Sequence, residues 1–411
     1  MFRSDFPIFA SHPDLVYLDS ASTAQKPRHV IDAMSKMLEE SYANIHRGAY
    51  DLSEMAEAYY ESSKEHVARY LGWVSRHEIV YTYNATYAFN LLTRSLVKSG
   101  ILNNGDHVLL SLAEHHANIV PWQILAEEYG IIIDWIDLHP DGTIDYDSLE
   151  RQLPQVKVLS ITGASNVTGE VLDLEKVKWF FANCQRQTAN DKPPLFILDG
   201  SQRFPHMETD VRKYGIDFFI ATGHKVMSDT GIGFFYGRKD LLKMMEPAFC
   251  GGWAINSVTR DGYEAAGLPH QFEPGTPHIV GARSLLASLE YIESIGGFRV
   301  IEKYERELTE YALEQFAQLP SNIRLLGSKK SENRLGVFSF VFEDKHPNDV
   351  ADALAEAGIA VRAGHHCTDP LHQFLGIPAS LRMSLYIYNT REDVERFISE
   401  LTKILETTLG I

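Results

Sequence analysis

Between Glu78 and Gly237 short apolar runs recur seven times, beginning near Ile79, His107, Ile131, Val156, Leu195, Asp217 and Gly231, with helical or loop segments between them. Strands alternating with helices argue for a mostly parallel sheet covered on both faces. Such sheets bind ligands outside the carboxyl ends of their strands, so the residue that closes each run matters most. Leu195-Phe196-Ile197-Leu198 closes on Asp199, and Asp217-Phe218-Phe219-Ile220-Ala221 closes on Thr222-Gly223-His224-Lys225. An Asp and a Lys in these places suit pyridoxal phosphate, with the Lys as Schiff-base amine and the Asp as partner of the pyridinium nitrogen. The same residues also read as surface charges after two ordinary strands.

The flanking segments follow helical periodicity. Pro27 to Tyr42 places Val30, Ala33, Met34, Met37 and Leu38 at helix spacing. A second helix is expected to begin near Ser53 as N-cap and to carry Met55, Ala58, Tyr59, Ser62 and His66 along one side. Asp173 can cap a crossover helix in which Val177, Phe180, Phe181 and Cys184 share a core face. The Gly- and Pro-rich stretch from Phe249 to His278 reads as an excursion, a hairpin at a subunit or domain edge. A helix from Gly281 is followed by an amphipathic one with Ile301, Tyr304, Leu308, Tyr311, Ala312 and Phe316. Short strands near Val337, Ile359 and Met383 and a last helix around Val394, Phe397 and Leu401 complete a smaller α+β unit. The expected division is an amino-terminal arm over 1–25 packing with the small domain, a large domain over 26–285 and a small domain over 286–411.

Bulk properties exclude several classes. With 38 basic against 55 acidic residues the 411-residue chain carries a formal charge of −17, which argues against nucleic acid as a partner. Its three cysteines, Cys184, Cys250 and Cys367, form no disulfide framework and no C-x-x-C metal spacing, so a reducing cytoplasm is expected. Asp and Pro break every apolar run of the first twenty residues, against a secretory signal. No run approaches the roughly 18 apolar residues of a membrane span.

Three further clusters carry chemistry. Tyr83-Asn84-Ala85-Thr86 joins a strand to a helix, where free N–H groups and the helix dipole favour an anion, although an ordinary N-cap fits as well. In Ala113-Glu114-His115-His116-Ala117-Asn118 an imidazole can stack on a cofactor ring and shuttle protons near neutral pH, with Ser165-Asn166 as a neighbouring candidate. Val361-Arg362-Ala363-Gly364-His365-His366-Cys367, followed by Arg382, presents a thiol on a loop beside two histidines and two arginines, a setting that favours thiolate. A zinc site there is disfavoured, because adjacent residues rarely converge on one ion and no second ligand pair stands at metal spacing.

Taken together, these motifs resemble the cysteine desulfurases of the pyridoxal-phosphate class V aminotransferase superfamily, and most closely the Suf-type (group II), selenocysteine lyase-like branch. The resemblance runs from Tyr17-Leu18-Asp19-Ser20-Ala21 to the last helix. Its specific pieces are Glu114-His115-His116-Ala117-Asn118-Ile119-Val120-Pro121-Trp122, Gly223-His224-Lys225, Arg362 to Cys367, and Tyr388-Asn389-Thr390. It implies fold type I of the pyridoxal-phosphate transferases, a large domain on a mostly parallel seven-stranded sheet plus a smaller α+β carboxy-terminal domain. Lys225 would hold the cofactor and move the substrate's α-proton, Asp199 would pair with the ring nitrogen, Gln202 and Asn166 would contact the ring oxygen, and His115 would stack. Thr86, Thr222 and His224 would bind phosphate, with Thr276 reaching in from the other subunit of a homodimer. Arg382 would clamp the substrate carboxylate, with His46, Arg362 and Asn166 also at the substrate. Cys367 would take sulfur from L-cysteine as a persulfide, release alanine and pass the sulfur to an acceptor protein for iron–sulfur cluster or related biosynthesis.

The chain departs from the family pattern in four places. Asn84-Ala85-Thr86 stands where Gly-Thr-Thr is usual, Val226-Met227-Ser228-Asp229 lacks the usual Gly-Pro, Thr368-Asp369 replaces the Ala after the Cys, and Gly163-Ala164 stands in place of a His. The alternatives are a selenocysteine lyase, a class V aminotransferase in which Cys367 is incidental, and a degenerate homologue that binds cofactor or a partner without turnover.

Overall fold

The computed structural model describes residues 2–45, 48–184 and 193–406. Among these, seven strands make the large sheet: β1 (Ile79–Thr82), β2 (His107–Ser111), β3 (Ile132–Ile136), β4 (Val158–Thr162), β5 (Leu195–Asp199), β6 (Phe218–Thr222) and β7 (Gly233–Gly237). Their spatial order is β1-β7-β6-β5-β4-β2-β3. Strands β2 to β6 pair in parallel, and β7 runs antiparallel to both β6 and β1. The seven apolar runs thus become the mostly parallel sheet that their alternation with helices requires.

Both faces of the sheet are buried, because alternate residues of each strand point to opposite sides. Val108, Leu110, Val158, Ile197 and Phe218 pack against Phe89 and Leu92 of the helix Ala85–Lys98 and Trp122 of the helix Val120–Tyr129. Leu109, Leu159, Phe196, Leu198 and Phe219 face the other layer, with Val177 and Phe180 of Leu174–Asn183 and Leu285 and Leu289 of Ile279–Ser294. Each such side chain contributes about 1.5–3 kcal/mol on burial. The strand interiors are therefore apolar, and polar groups gather at their ends. Asp173 caps the crossover helix by accepting from the Lys176 N–H at 3.0 Å. Cys184, just past it, packs half-buried against the core.

One helix differs from its sequence reading. It spans Asp51–Tyr70, with Tyr50 rather than Ser53 at the N-cap, and the Ser53 hydroxyl donates to the Asn44 carbonyl at 2.8 Å. Its buried side is Ser53, Ala56, Tyr60, Ser63, Lys64 and Val67, whereas Met55 is exposed. A lysine on the buried side breaks the apolar periodicity, and its partner Glu273 lies far along the chain.

The smaller unit is an antiparallel sheet in the order Ile323–Leu325, Val337–Phe342, Ser380–Ser384, Arg362–Gly364. Its first strand, only three residues long and half-exposed, went unread in the sequence. The helices Phe298–Phe316, Pro347–Glu356 and Arg391–Glu406 enclose a core of Leu308, Phe316, Phe338, Phe340, Leu354 and Phe397. The amino-terminal arm is tied to this unit. Val16–Tyr17 pairs in parallel with Ile359–Ala360, and Arg3 meets Asp393 at 2.9 Å. The Ala21 N–H donates to Ser384 Oγ at 2.9 Å, which brings Asp19 to Ser22 beside the carboxyl ends of the large sheet. The Phe249–His278 excursion carries the hairpin Ile255–Val258 and Tyr263–Ala265.

Candidate functional site

A cavity of about 160 Å³ opens where β4, β5 and β6 end, with Thr162, Asp199 and Thr222 in its wall. Asp199 is buried and accepts from the Ser201 N–H at 2.9 Å. Burial pushes its carboxyl up, while Ser201 and the charge of Lys225 pull the other way. The chain leaves β5 through Gly200, where a Cβ would stand 2.0 Å from the Phe219 ring, so only glycine permits this turn. Lys225 follows β6 on the turn Gly223–Lys225, anchored by the Gly223 N–H on the Ile232 carbonyl at 2.8 Å. Burial lowers its ammonium to about 8; Asp199 opposes this shift and Arg382 assists it.

One end of the cavity gathers unsatisfied hydrogen-bond donors. The helix Ala85–Lys98 begins there; its first-turn N–H groups have no acceptor within the helix, and Asn84 Oδ1 takes only that of Tyr87, at 2.9 Å. Thr222 makes no capping bond, and its hydroxyl is buried without a partner among the described residues. A hydroxyl left so costs stability unless a ligand satisfies it. Gly233 lies beneath the loop, where a Cβ would stand 2.8 Å from Asn84 Cα. Thr86 and His224 complete this end, and burial, then Lys225 and Lys26, hold the His224 imidazole down at about 4.

His115 lines the cavity and accepts the Ala117 N–H on Nδ1 at 3.1 Å, which leaves the ring proton on Nε2. Burial, with Lys225 next, lowers it to about 3, which favours the neutral ring. Gln202 and Asn166 also line the cavity, and each spends one amide N–H on the protein, Gln202 on the Ala21 carbonyl and Asn166 on the His366 carbonyl, both at 2.8 Å.

The small domain supplies the opposite wall with Arg362, His366, Cys367 and Arg382. Arg382 is 2% exposed, and Nη2 is already engaged by Asp19 Oδ1 at 3.1 Å and Ser22 Oγ at 2.6 Å, while Nη1 donates to the Asn166 carbonyl. Its Nε has no partner among the described residues. Asp19 shares this guanidinium. Cys367 is exposed at the cavity mouth. The two neighbouring imidazoles are engaged by other groups, His365 Nε2 by the Pro378 carbonyl at 2.6 Å and His366 Nε2 by the Ser380 carbonyl at 3.1 Å. Burial, with Arg382 next, keeps His366 well below the usual imidazole range, so it adds no positive charge to favour a thiolate.

The remaining two expected site residues are Thr276, which does not line this cavity, and His46. Thr276 is exposed on the loop after Glu273, and His46 lies outside the described residues. Sequence reasoning missed Asp19 and Ser22, which only the arm's pairing with the small domain brings here. It also missed Glu114, fully buried, which accepts from Ser111 Oγ at 2.6 Å, the Thr162 N–H at 2.9 Å and Asn118 Nδ2 at 2.8 Å. Glu114 thereby ties the ends of β2 and β4 together under His115.

The family model of class-V aminotransferases matches residues 16–397. A probable cysteine desulfurase of Halalkalibacterium halodurans is 39% identical over 95% of this chain and 93% of its own length. The apo structure of a cysteine desulfurase from Thermococcus onnurineus superposes with a TM-score of 0.91 at 33% identity, over 98% of this chain and 97% of that one. The cysteine desulfurase CsdA of Escherichia coli superposes with a TM-score of 0.87, again at 33% identity, over 99% and 98%.

Proposed function

Because the chain belongs to the class-V aminotransferase family and is a homologue of the cysteine desulfurases, we propose that it is a pyridoxal-phosphate enzyme that takes sulfur from L-cysteine, releasing alanine and leaving a persulfide on Cys367. The observation that carries this reading is the convergence of Lys225, Asp199 and Cys367, from both domains, on one cavity.

The wall fits the cofactor group by group. The Ala85–Lys98 N-terminus, Thr86, Thr222 and His224 would hold its phosphate, and the unpartnered Thr222 hydroxyl is the most telling of these. Asp199 would face the ring nitrogen, the neutral His115 would stack, and the second amide N–H of Gln202 and of Asn166 is free to reach the ring oxygen. When bound, pyridoxal phosphate supplies an electron sink for the substrate's α-carbon. Lys225 holds the cofactor and moves the α-proton. Arg382, with Nη2 fixed by Asp19 and Ser22, orients the substrate carboxylate, and Arg362 stands beside it. Cys367 Sγ attacks the substrate sulfur. A sulfur–sulfur bond forms as the carbon–sulfur bond breaks, the bonding pair stays with carbon, and a proton completes alanine.

We place the enzyme in the Suf-type branch on its Arg362-to-Cys367 motif, supplying sulfur to an acceptor protein that meets Cys367 at the mouth. The reading includes a homodimer. Leu38, Tyr42, Tyr50, Leu52 and Met55 are exposed apolar side chains that a second copy could cover, and Thr276 is exposed and able to reach a partner's cavity. It also places the protein in the cytoplasm, where a thiol such as that of Cys367 stays reduced; no helix among the described residues is long and apolar enough to cross a membrane.

Protein loaded with cofactor and given L-cysteine and a reductant is expected to release alanine and sulfide in equal amounts. 3-Mercaptopyruvate formed together with an aminated 2-oxo-acid acceptor would instead make it an aminotransferase, turnover of selenocysteine alone a selenocysteine lyase, and bound cofactor without product a degenerate homologue. The lowered Lys225 amine gives a second expectation. Its neutral, nucleophilic form predominates above pH about 8. Uptake of added pyridoxal phosphate by cofactor-free protein, followed by absorbance, should therefore rise with pH and level off just above 8. An inflection near the ordinary lysine value of about 10.4 would contradict it.

A further inference from the structure

His366 and Cys367 both adopt left-handed backbone angles, φ +53° and +57°, immediately before Thr368. Non-glycine residues hold such angles in succession only where their surroundings fix them. Part of that fixing is main-chain: the His116 N–H donates to the Cys367 carbonyl and Asn166 Nδ2 to the His366 carbonyl, each at 2.8 Å. The rest converges on Asp369. Its Oδ2 meets His116 Nε2 at 2.9 Å, and its Oδ1 meets His365 Nδ1 at 3.0 Å. His365 is held from the other side by the Pro378 carbonyl. One carboxylate thus joins an imidazole of the large domain to an imidazole of the small one, across the base of the thiol loop.

We propose that the His116–Asp369–His365 clasp is a positioning device that holds Cys367 at the cavity mouth, and that Asp369 sets the balance between sulfur abstraction and sulfur delivery. Abstraction needs Sγ held toward the cavity, and delivery needs it to swing outward to an acceptor. A closed clasp favours the first. Opening it frees the loop to leave its left-handed conformation and favours the second. The proposal rests on the desulfurase reading for its catalytic consequence, but not for its geometry.

The test uses the full-length holoenzyme and its Asp369→Ala, Asp369→Asn, His116→Ala and His116→Ala/Asp369→Ala variants. Two quantities are followed: the alanine burst of the first turnover, and Cys367 alkylation by iodoacetamide without substrate, read by peptide mass spectrometry to separate it from exposed Cys250. Asp369→Ala is expected to slow the burst about tenfold and to speed alkylation severalfold, with cofactor absorption unchanged. Asp369→Asn, nearly isosteric and able to keep one contact, should fall between it and wild type. The double variant should be no worse than the worse single one, since both substitutions open the same clasp. Burst and alkylation rates of Asp369→Ala within twofold of wild type would overturn the proposal, as would independent, additive effects of the two substitutions. If wild-type protein makes no alanine from cysteine, the function reading falls, while alkylation alone still decides the clasp.

Discussion

Replacing Cys367 by alanine is expected to lower sulfide release from L-cysteine at least ~100-fold, about 2.7 kcal/mol on the barrier, while cofactor absorption and thermal stability stay as in wild type. The proposed reaction needs a nucleophile that is not the cofactor's own, and Cys367 is the one cysteine of three that lines the cavity. Cys184 packs against the core of the large domain, and Cys250 is exposed beside the hairpin. Neither can substitute. The thiol is exposed at the mouth, so its loss leaves no core cavity and the fold should tolerate it. The measurement is sulfide and alanine production under reducing conditions, with absorbance recorded on the same samples. Undiminished sulfide from Cys367→Ala would remove the persulfide from the mechanism.

The largest expected loss of stability lies elsewhere, at Lys64. Its ammonium and the Glu273 carboxylate are 0% and 3% exposed and meet at 2.8 Å. The Tyr81 N–H at 2.6 Å and the Tyr60 hydroxyl at 3.2 Å also donate to Glu273. The ammonium lies over the rings of Tyr60 and Tyr81. Lys64→Met strands a buried carboxylate, and breaking such a pair from one side costs about 3–5 kcal/mol. Burial by itself would raise the Glu273 carboxyl, but Lys64 and His270 outweigh it and hold it at about 2. A folded value below the unfolded one, about 4.3, stabilises the protein above pH 4.3, and that share is lost as pH falls toward 2. Without Lys64 the carboxyl rises and takes up its proton sooner. The thermal-midpoint gap between wild type and Lys64→Met should therefore be widest near neutrality and narrow on acidification. Equal midpoints at pH 7 would show that the pair does not hold the fold. The loop that Glu273 anchors carries Thr276, so weaker cofactor retention should accompany the loss of stability if that residue serves a second subunit.

Much of the large domain was legible from local pattern. A parallel strand buried on both faces must be apolar along its length, so the seven runs announce themselves. Parallel strands end on one side of the sheet, so Asp199 and Lys225 had to emerge together once both strands were granted. The donor-rich end at Ala85 and the ring at His115 follow from the same rule, each being the first turn after a strand. The smaller sheet was less legible: Ile323–Leu325 is too short and too exposed to show an alternation. The helix Asp51–Tyr70 misled, because its exposed side carries Met55 and its buried side carries a lysine.

By itself, then, the sequence determined the strand order along the chain, the residues at the strand ends and the loop that bears the thiol, since each depends on spacing within a few residues. Tertiary structure alone decided the charge partners. Asp19 meets Arg382 across 363 positions, and Glu273 meets Lys64 across 209. No local periodicity records such a meeting. A buried charge needs a counter-charge in space, and only the folded chain places it there.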